Sequence, residues 1–141
     1  MKTYPMNQNI ATASSMVELA RPDLIKVVGG SVAGNAVSAA MSRLGCPYVW
    51  GASGPGSFDC SGLVQWAYAQ AGLHLDRTTY QQINDGIPVA RSQVQPGDLV
   101  FPSAGHVQMA IGNGQVIEAP YSGASVRISP MGNNVQIRRP S

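Results

Sequence analysis

Charge is scarce in this sequence: 11% of its 141 residues are Asp, Glu, Lys or Arg, against roughly 25% in an average soluble protein. Its surface must therefore draw on Ser, Thr, Asn and Gln. Nine basic and seven acidic residues leave a net charge of +2, and no run of Lys or Arg is dense enough to follow a phosphate backbone, so nucleic acid is not expected as a partner. Cysteine occurs twice, at Cys46 and Cys60. Two cysteines make at most one bridge, which excludes a disulfide scaffold and leaves the redox compartment open. Long hydrophobic runs are also missing: the weakly apolar stretch from Val27 to Ser42 is interrupted by Gly29, Gly30, Gly34 and Asn35, so no membrane span is expected. The opening "MKTYPMNQNIATASS" has no apolar core of the kind a signal peptide carries. A chain trimmed of its leader would look the same, so localisation stays open on this point. Histidine and cysteine are too few and too badly spaced for a typical zinc site, and no metal or other cofactor is expected.

What is present fits one domain, since 141 residues hide roughly two-thirds of the surface that the unfolded chain exposes and a second core is not expected. Residues 1–33 read as an N-terminal arm that carries one short helical pattern, "SMVELA", broken by Pro22 and closed by Gly29-Gly30. From residue 34 onward the chain reads as the domain proper, which the arm is placed to cover. Val37, Ala40, Met41 and Leu44 follow the spacing of an amphipathic helix, and Gly45 offers a C-terminal cap. "CPYVWGASGPGSF" is irregular, with three glycines and two prolines. A central helix then begins at Cys60, with Leu63, Val64, Ala67 and Ala71 on one face, Asp59 as N-cap and Gly72 as terminator. "RTTYQQIND" suggests a short helix before Gly86, and "DLVF", "HVQMAIG", "QVIEA" and "SVRIS" read as strands. Helices first and an antiparallel meander second make an α+β domain.

A thiol becomes a good nucleophile when it ionises, and the positive end of a helix dipole favours the thiolate. Cys60 stands at such an end, yet it also shares an apolar stripe with Leu63 and Val64, where a free cysteine acts as a small hydrophobe. On these residues alone packing has the edge, and the matter turns on whether a base and an orienting group reach the thiol. His74, in "GLHLD", follows the helix and reads as a loop residue; His106 opens a strand.

The hairpin 106–119 offers two turns. A two-residue Asn113-Gly114 turn pairs Gly112 with Gln115 and sets Glu118 opposite Met109, among apolar groups. A three-residue Gly112-Asn113-Gly114 loop pairs Ile111 with Gln115 and Gln108 with Glu118. In that register Val107, Met109, Ile111, Ile117 and Ala119 form an apolar face, while His106, Gln108 and Glu118 share the other, with Glu118 diagonal to His106 and within side-chain reach. The hydrophobic pattern therefore favours the three-residue loop, and with it a His-Glu pair. A carboxylate beside an imidazole fixes its tautomer and stabilises its charged form. The other glutamate, Glu18, lies in the arm. An exposed strand position remains the competing reading of Glu118.

Cys60 in "FDCSGLVQWAY", His106 in "GHVQMAIG" and Glu118 in "VIEAP", with "PYVWG", "DRTTYQQ" and "QPGDLVF" in order, resemble the NlpC family of bacterial cell-wall cysteine peptidases, above all its actinobacterial members. The resemblance covers roughly residues 36–130. It implies a papain-like fold and the cleavage of peptidoglycan stem peptides, commonly between D-glutamate, through its γ-carboxyl, and a diamino acid such as diaminopimelate. It makes Cys60 the nucleophile, His106 the base and later the acid, and Glu118 the orienter at a position where members often carry His. Tyr48 would polarise the carbonyl in the oxyanion site, and Asp59 and Ser61 would line the cleft; a core aromatic and a plain helix cap are the alternatives for Tyr48 and Asp59. Gln108 replaces a usual glycine and would face the cleft, narrowing it or holding the carboxylate. Pro102 replaces a common aromatic, so the segment leading to His106 is expected to differ. Cys46 reads as a small packed residue rather than half of a bridge. The resemblance further implies a secreted or wall-associated protein, expected as a monomer. A peptidoglycan-binding module that keeps the cleft without turnover, and an acyl- or amide-transfer enzyme on the same fold, are the competing functions.

Overall fold

A computed structural model describes residues 31–141. The "SMVELA" pattern and a covering role for the arm lie outside the described residues. The first helix, α1, runs Val32–Met41. It ends before Gly45, because the chain tightens into i→i−3 hydrogen bonds (Arg43 to Ala40, Leu44 to Met41, Cys46 to Arg43). That change of pitch turns Leu44 off the helical stripe, and it is 43% exposed while Ala36 and Ala40 are buried. Gly45, at φ 88°, still marks the stop.

Helix α2, Cys60–Gln70, is the central one. Asp59 caps it in extended conformation, its Oδ1 accepting from the Gly62 amide at 2.7 Å. Leu63, Val64, Ala67 and Tyr68 face the core. Gly62 is where the helix touches the preceding loop: a Cβ there would lie 2.2 Å from the Ala52 carbonyl oxygen. The short helix α3, Thr79–Gln82, is held by a capping box between Thr78 and Gln81.

The strands are β1 Ile87–Pro88, β2 Leu99–Ser103, β3 His106–Gly112, β4 Gln115–Glu118, β5 Arg127–Pro130 and β6 Gln136–Arg139. They form one antiparallel sheet in the order β1-β6-β2-β3-β4-β5. One face packs on the helices: Val107, Met109, Ile117 and Ala119 meet Leu63, Val64 and Ala67, with Ile111 partly buried at the margin. The α+β expectation holds. Two strands had no clear signal. β1 is two residues long, and in "QIRR" Ile137 is the single buried apolar residue while Arg139 is held by Asp98 at 2.8 Å.

The hairpin uses parts of both turns. At its tip Gly112 pairs with Gln115, and Asn113 and Gly114 have φ of 56° and 72°, the left-handed pair of a two-residue primed turn. The three-residue loop is therefore corrected at the tip. One step in, the register shifts, and Ala110 pairs with Val116 and Met109 with Ile117. Ile111 is the extra residue of a bulge beside Gly112, whose φ of 98° suits glycine. The bulge restores the ladder that the hydrophobic alternation demanded, with Gln108 opposite Glu118. The second face is less polar than expected: Val100, Ala110, Val116, Met131 and Ile137 form a smaller apolar cluster on it. It is polar at the His106 end.

Candidate active site

Cys60 begins α2 and His106 begins β3, so the positive end of the helix dipole and the starting end of an interior strand meet in one cleft of about 580 Å³. Tyr48, Asp59, Cys60, Ser61 and His106 all line it. Gln108 and Glu118 do not; they lie behind His106, 7% and 4% exposed. Five of the seven expected residues thus line the cleft and the other two back it, with Gln108 holding the carboxylate rather than narrowing the cleft. His74 lies away, beside Asp76 and Asp85 at another small cavity. Cys46 and Cys60 are both free thiols.

His106 Nε2 is 2.8 Å from Glu118 Oε1. With Nε2 engaged, Nδ1 is the nitrogen left for the Cys60 thiol. Burial works against a charged imidazole, but Cys60 and Glu118, as hydrogen-bond acceptors and charge partners of the ring, outweigh it and lift His106 from 6.5 to about 9. Glu118 moves the other way: burial opposes its ionisation, and hydrogen bonds from His106, Gln108, Ser129 and Arg127 overcome that and bring it to about 2. A buried carboxylate held ionised thus stands against an imidazole held protonated.

Tyr48 lines the same cleft from the loop before α2. Burial, followed by the charges of Cys60 and Asp59, pushes its phenol above the ordinary 10.0, so it stays a hydrogen-bond donor. A protonated phenol beside the thiol is able to meet negative charge developing on a carbonyl oxygen.

Arg77 escaped the sequence reading of the site. Its Nη1 and Nη2 donate to Asp59 Oδ1 and Oδ2 at 3.1 and 2.9 Å, and Nη1 donates to Ser61 Oγ at 2.8 Å. Asp59 Oδ2 also accepts from the Gly51 amide at 3.1 Å. Asp59 therefore joins three segments: the loop carrying Tyr48, the start of α2, and the stretch before α3. Its carboxylate is fully engaged, so a substrate meets an Asp-Arg-Ser cluster rather than a free acid. "DRTTYQQ" was the available signal, but a charge pair across 18 residues has no local pattern. Tyr80, 67% exposed, also lines the cleft. In the segment before His106 the β2–β3 register shifts between Val100 and Ser103, around Pro102, which has no amide to donate.

A central helix that begins at a cysteine, packed on an antiparallel sheet that carries a histidine, is the layout of a papain-like α+β fold. Residues 45–139 match the NlpC/P60 family, and the chain belongs to that family. It is 43% identical over 97 residues to a probable endopeptidase of Mycobacterium tuberculosis, covering 67% of this chain and 25% of that protein. It is 38% identical over 122 residues to the peptidoglycan endopeptidase RipA of Mycolicibacterium smegmatis, covering 75% of this chain and 24% of RipA. The chain thus spans about a quarter of the length of these two relatives. Among solved structures, the peptidoglycan hydrolase RipB of Mycobacterium tuberculosis superposes with a TM-score of 0.70 at 31% identity, over 87% of this chain and 73% of that one. NlpC1 of Trichomonas vaginalis gives 0.73 at 33% identity, over 80% and 45%.

Proposed function

We propose that the domain is a peptidoglycan peptidase that hydrolyses stem peptides, at the bond between D-glutamate, through its γ-carboxyl, and diaminopimelate, using Cys60, His106 and Glu118. The observation that carries this reading is that Cys60 and His106 line one cleft, with Glu118 Oε1 2.8 Å from His106 Nε2 behind it. The Cys60 thiolate attacks the amide carbonyl, and Tyr48 donates to the oxyanion. The amide C–N bond breaks as His106 passes its proton to the leaving amine. Water, deprotonated by His106, then hydrolyses the thioester and returns the thiol. Asp59 and Ser61, with Arg77, present the polar wall against which the stem peptide is read. Peptidoglycan lies outside the cytoplasmic membrane, so this substrate implies a secreted or wall-associated protein. No helix among the described residues is long and apolar enough to cross a membrane.

The competing reading, binding without turnover, rests on Gln108 beside the proposed triad. Gln108 lies there, with its amide on Glu118 at 2.7 Å, but it is not among the residues that line the cleft and so does not block it. The test is release of soluble peptide from purified sacculi. Wild type should release it and Cys60→Ala should not, whereas sedimentation of both proteins with the sacculi and release by neither would make the domain a binding module.

A further inference from the structure

Glu118 is held by more than the histidine it serves. Oε1 accepts from His106 Nε2 at 2.8 Å and from Gln108 Nε2 at 2.7 Å, while Oε2 accepts from Arg127 Nε at 3.0 Å and from Ser129 Oγ at 2.8 Å. A carboxylate has about four acceptor positions, and here each is filled. The donors come from the two strands that flank Glu118 on β4: Gln108 from β3, Arg127 and Ser129 from β5, where Arg127 is the direct cross-strand partner of Glu118. With both oxygens pinned from two sides, the carboxylate has no freedom to rotate away from the imidazole.

Gln108 also carries a cost that packing alone would not require. Its Oε1 is buried with no hydrogen-bond partner, and an apolar side chain of similar size would avoid leaving a buried acceptor unpaired. Turning the amide over would set Oε1 against a carboxylate oxygen, so the amide orientation and the charge on Glu118 fix each other. The charged and titratable groups around Glu118 are His106 from β3 and Arg127 from β5, with Cys60 of α2 beyond His106 and Tyr121 beyond Arg127.

We propose that Gln108, Arg127 and Ser129 are positioning residues: they keep the buried Glu118 carboxylate ionised and aimed at Nε2 of His106, which leaves Nδ1 for Cys60. This rests on the Cys60-His106-Glu118 reading above and goes beyond it by assigning three residues that act through Glu118 without touching the substrate.

A double-mutant cycle on stem-peptide hydrolysis tests it. Gln108→Met and Arg127→Met should each lower kcat roughly tenfold, equivalent to about one unit of proton affinity at the triad, with KM unchanged. Arg127→Lys, which restores a donor and a charge, should recover most of that loss. In a Glu118→Ala background neither substitution should cost anything further, because the group they act through is gone. Arg127 is 46% exposed at its side chain, so Arg127→Met keeps the test open if Gln108→Met does not fold. Losses that add to that of Glu118→Ala, or that appear in KM, would overturn the proposal while leaving the triad in place. Full turnover by Cys60→Ala would instead remove the triad reading, and the positioning role with it.

Discussion

At the residue scale the protein turns on two ionisable side chains, His106 and Glu118, whose environments pull their proton affinities apart. His106 is raised because Cys60 and Glu118 both stabilise its charged form, so the imidazolium able to protonate a leaving amine should persist up to about pH 9. The alkaline limb of kcat/KM should fall near that value. In Cys60→Ala, one of the two stabilising partners is lost, and an NMR titration of the His106 ring should give a lower pKa than in wild type; an unchanged value would mean that Cys60 does not face the imidazole. The same shifts bear on stability. His106 is raised above its ordinary 6.5, so its contribution is complete below that and is lost as pH rises towards about 9. Glu118 is depressed below its ordinary 4.5, so its contribution is complete above that and is lost as pH falls towards about 2. The pair therefore supports the fold most between pH 4.5 and 6.5. Thermal unfolding of Glu118→Gln should show a flatter pH dependence than wild type as pH falls from 4.5 towards about 2 and as it rises from 6.5 towards about 9; parallel curves in those windows would refute the coupling.

At the scale of elements, helix α2 and the β3–β4 hairpin show what the sequence made legible and what it did not. Asp59 was readable as an N-cap because capping is local: a short acid, extended backbone and an amide three residues on. Its second role, as the anchor for Arg77, depends on the chain returning from residue 77, and nothing near either residue announces it. Asp59→Ala should thus cost more than a cap: roughly 2–4 kcal/mol by chemical denaturation, from the lost cap and the unpaired partly buried arginine together. A loss under about 1 kcal/mol, the size of a cap alone, would show that the Arg77 contact adds nothing. Gly62 reverses the usual helix rule. Alanine normally gains about 1 kcal/mol over glycine inside a helix, but a Cβ at this position meets the Ala52 carbonyl oxygen at 2.2 Å. Gly62→Ala should lower the denaturation midpoint, and a rise would show that α2 and the 47–58 loop are free to separate. In the hairpin, the alternation of apolar residues determined the ladder that sets Gln108 opposite Glu118 and so brings Glu118 within reach of His106. Turn chemistry determined the tip separately, and the bulge at Ile111 reconciles the two.

At the scale of the whole molecule, the α+β layout and the helix-on-sheet core were legible because their periodicities are strong: buried Leu63, Val64 and Ala67 on one side, Val107, Met109 and Ile117 on the other. The C-terminal strand was not, since Gln136–Arg139 is defined by its partners, β1 and β2, rather than by its own pattern. Nor was the second apolar cluster, which gathers Met131 and Ile137 onto Val100 and Ala110 from distant parts of the chain. What the assembled fold achieves is a meeting of α2 and β3 at their first residues, so that a helix dipole, a thiol and a carboxylate-backed imidazole share one cleft. The measurement that tests this most directly is mass spectrometry of muropeptides after incubation with wild type and with Cys60→Ala. Wild type should yield fragments cut between D-glutamate and diaminopimelate, and Cys60→Ala should leave the muropeptides intact. Uncut stem peptides with folded wild type, or the same fragments from Cys60→Ala, would contradict the account.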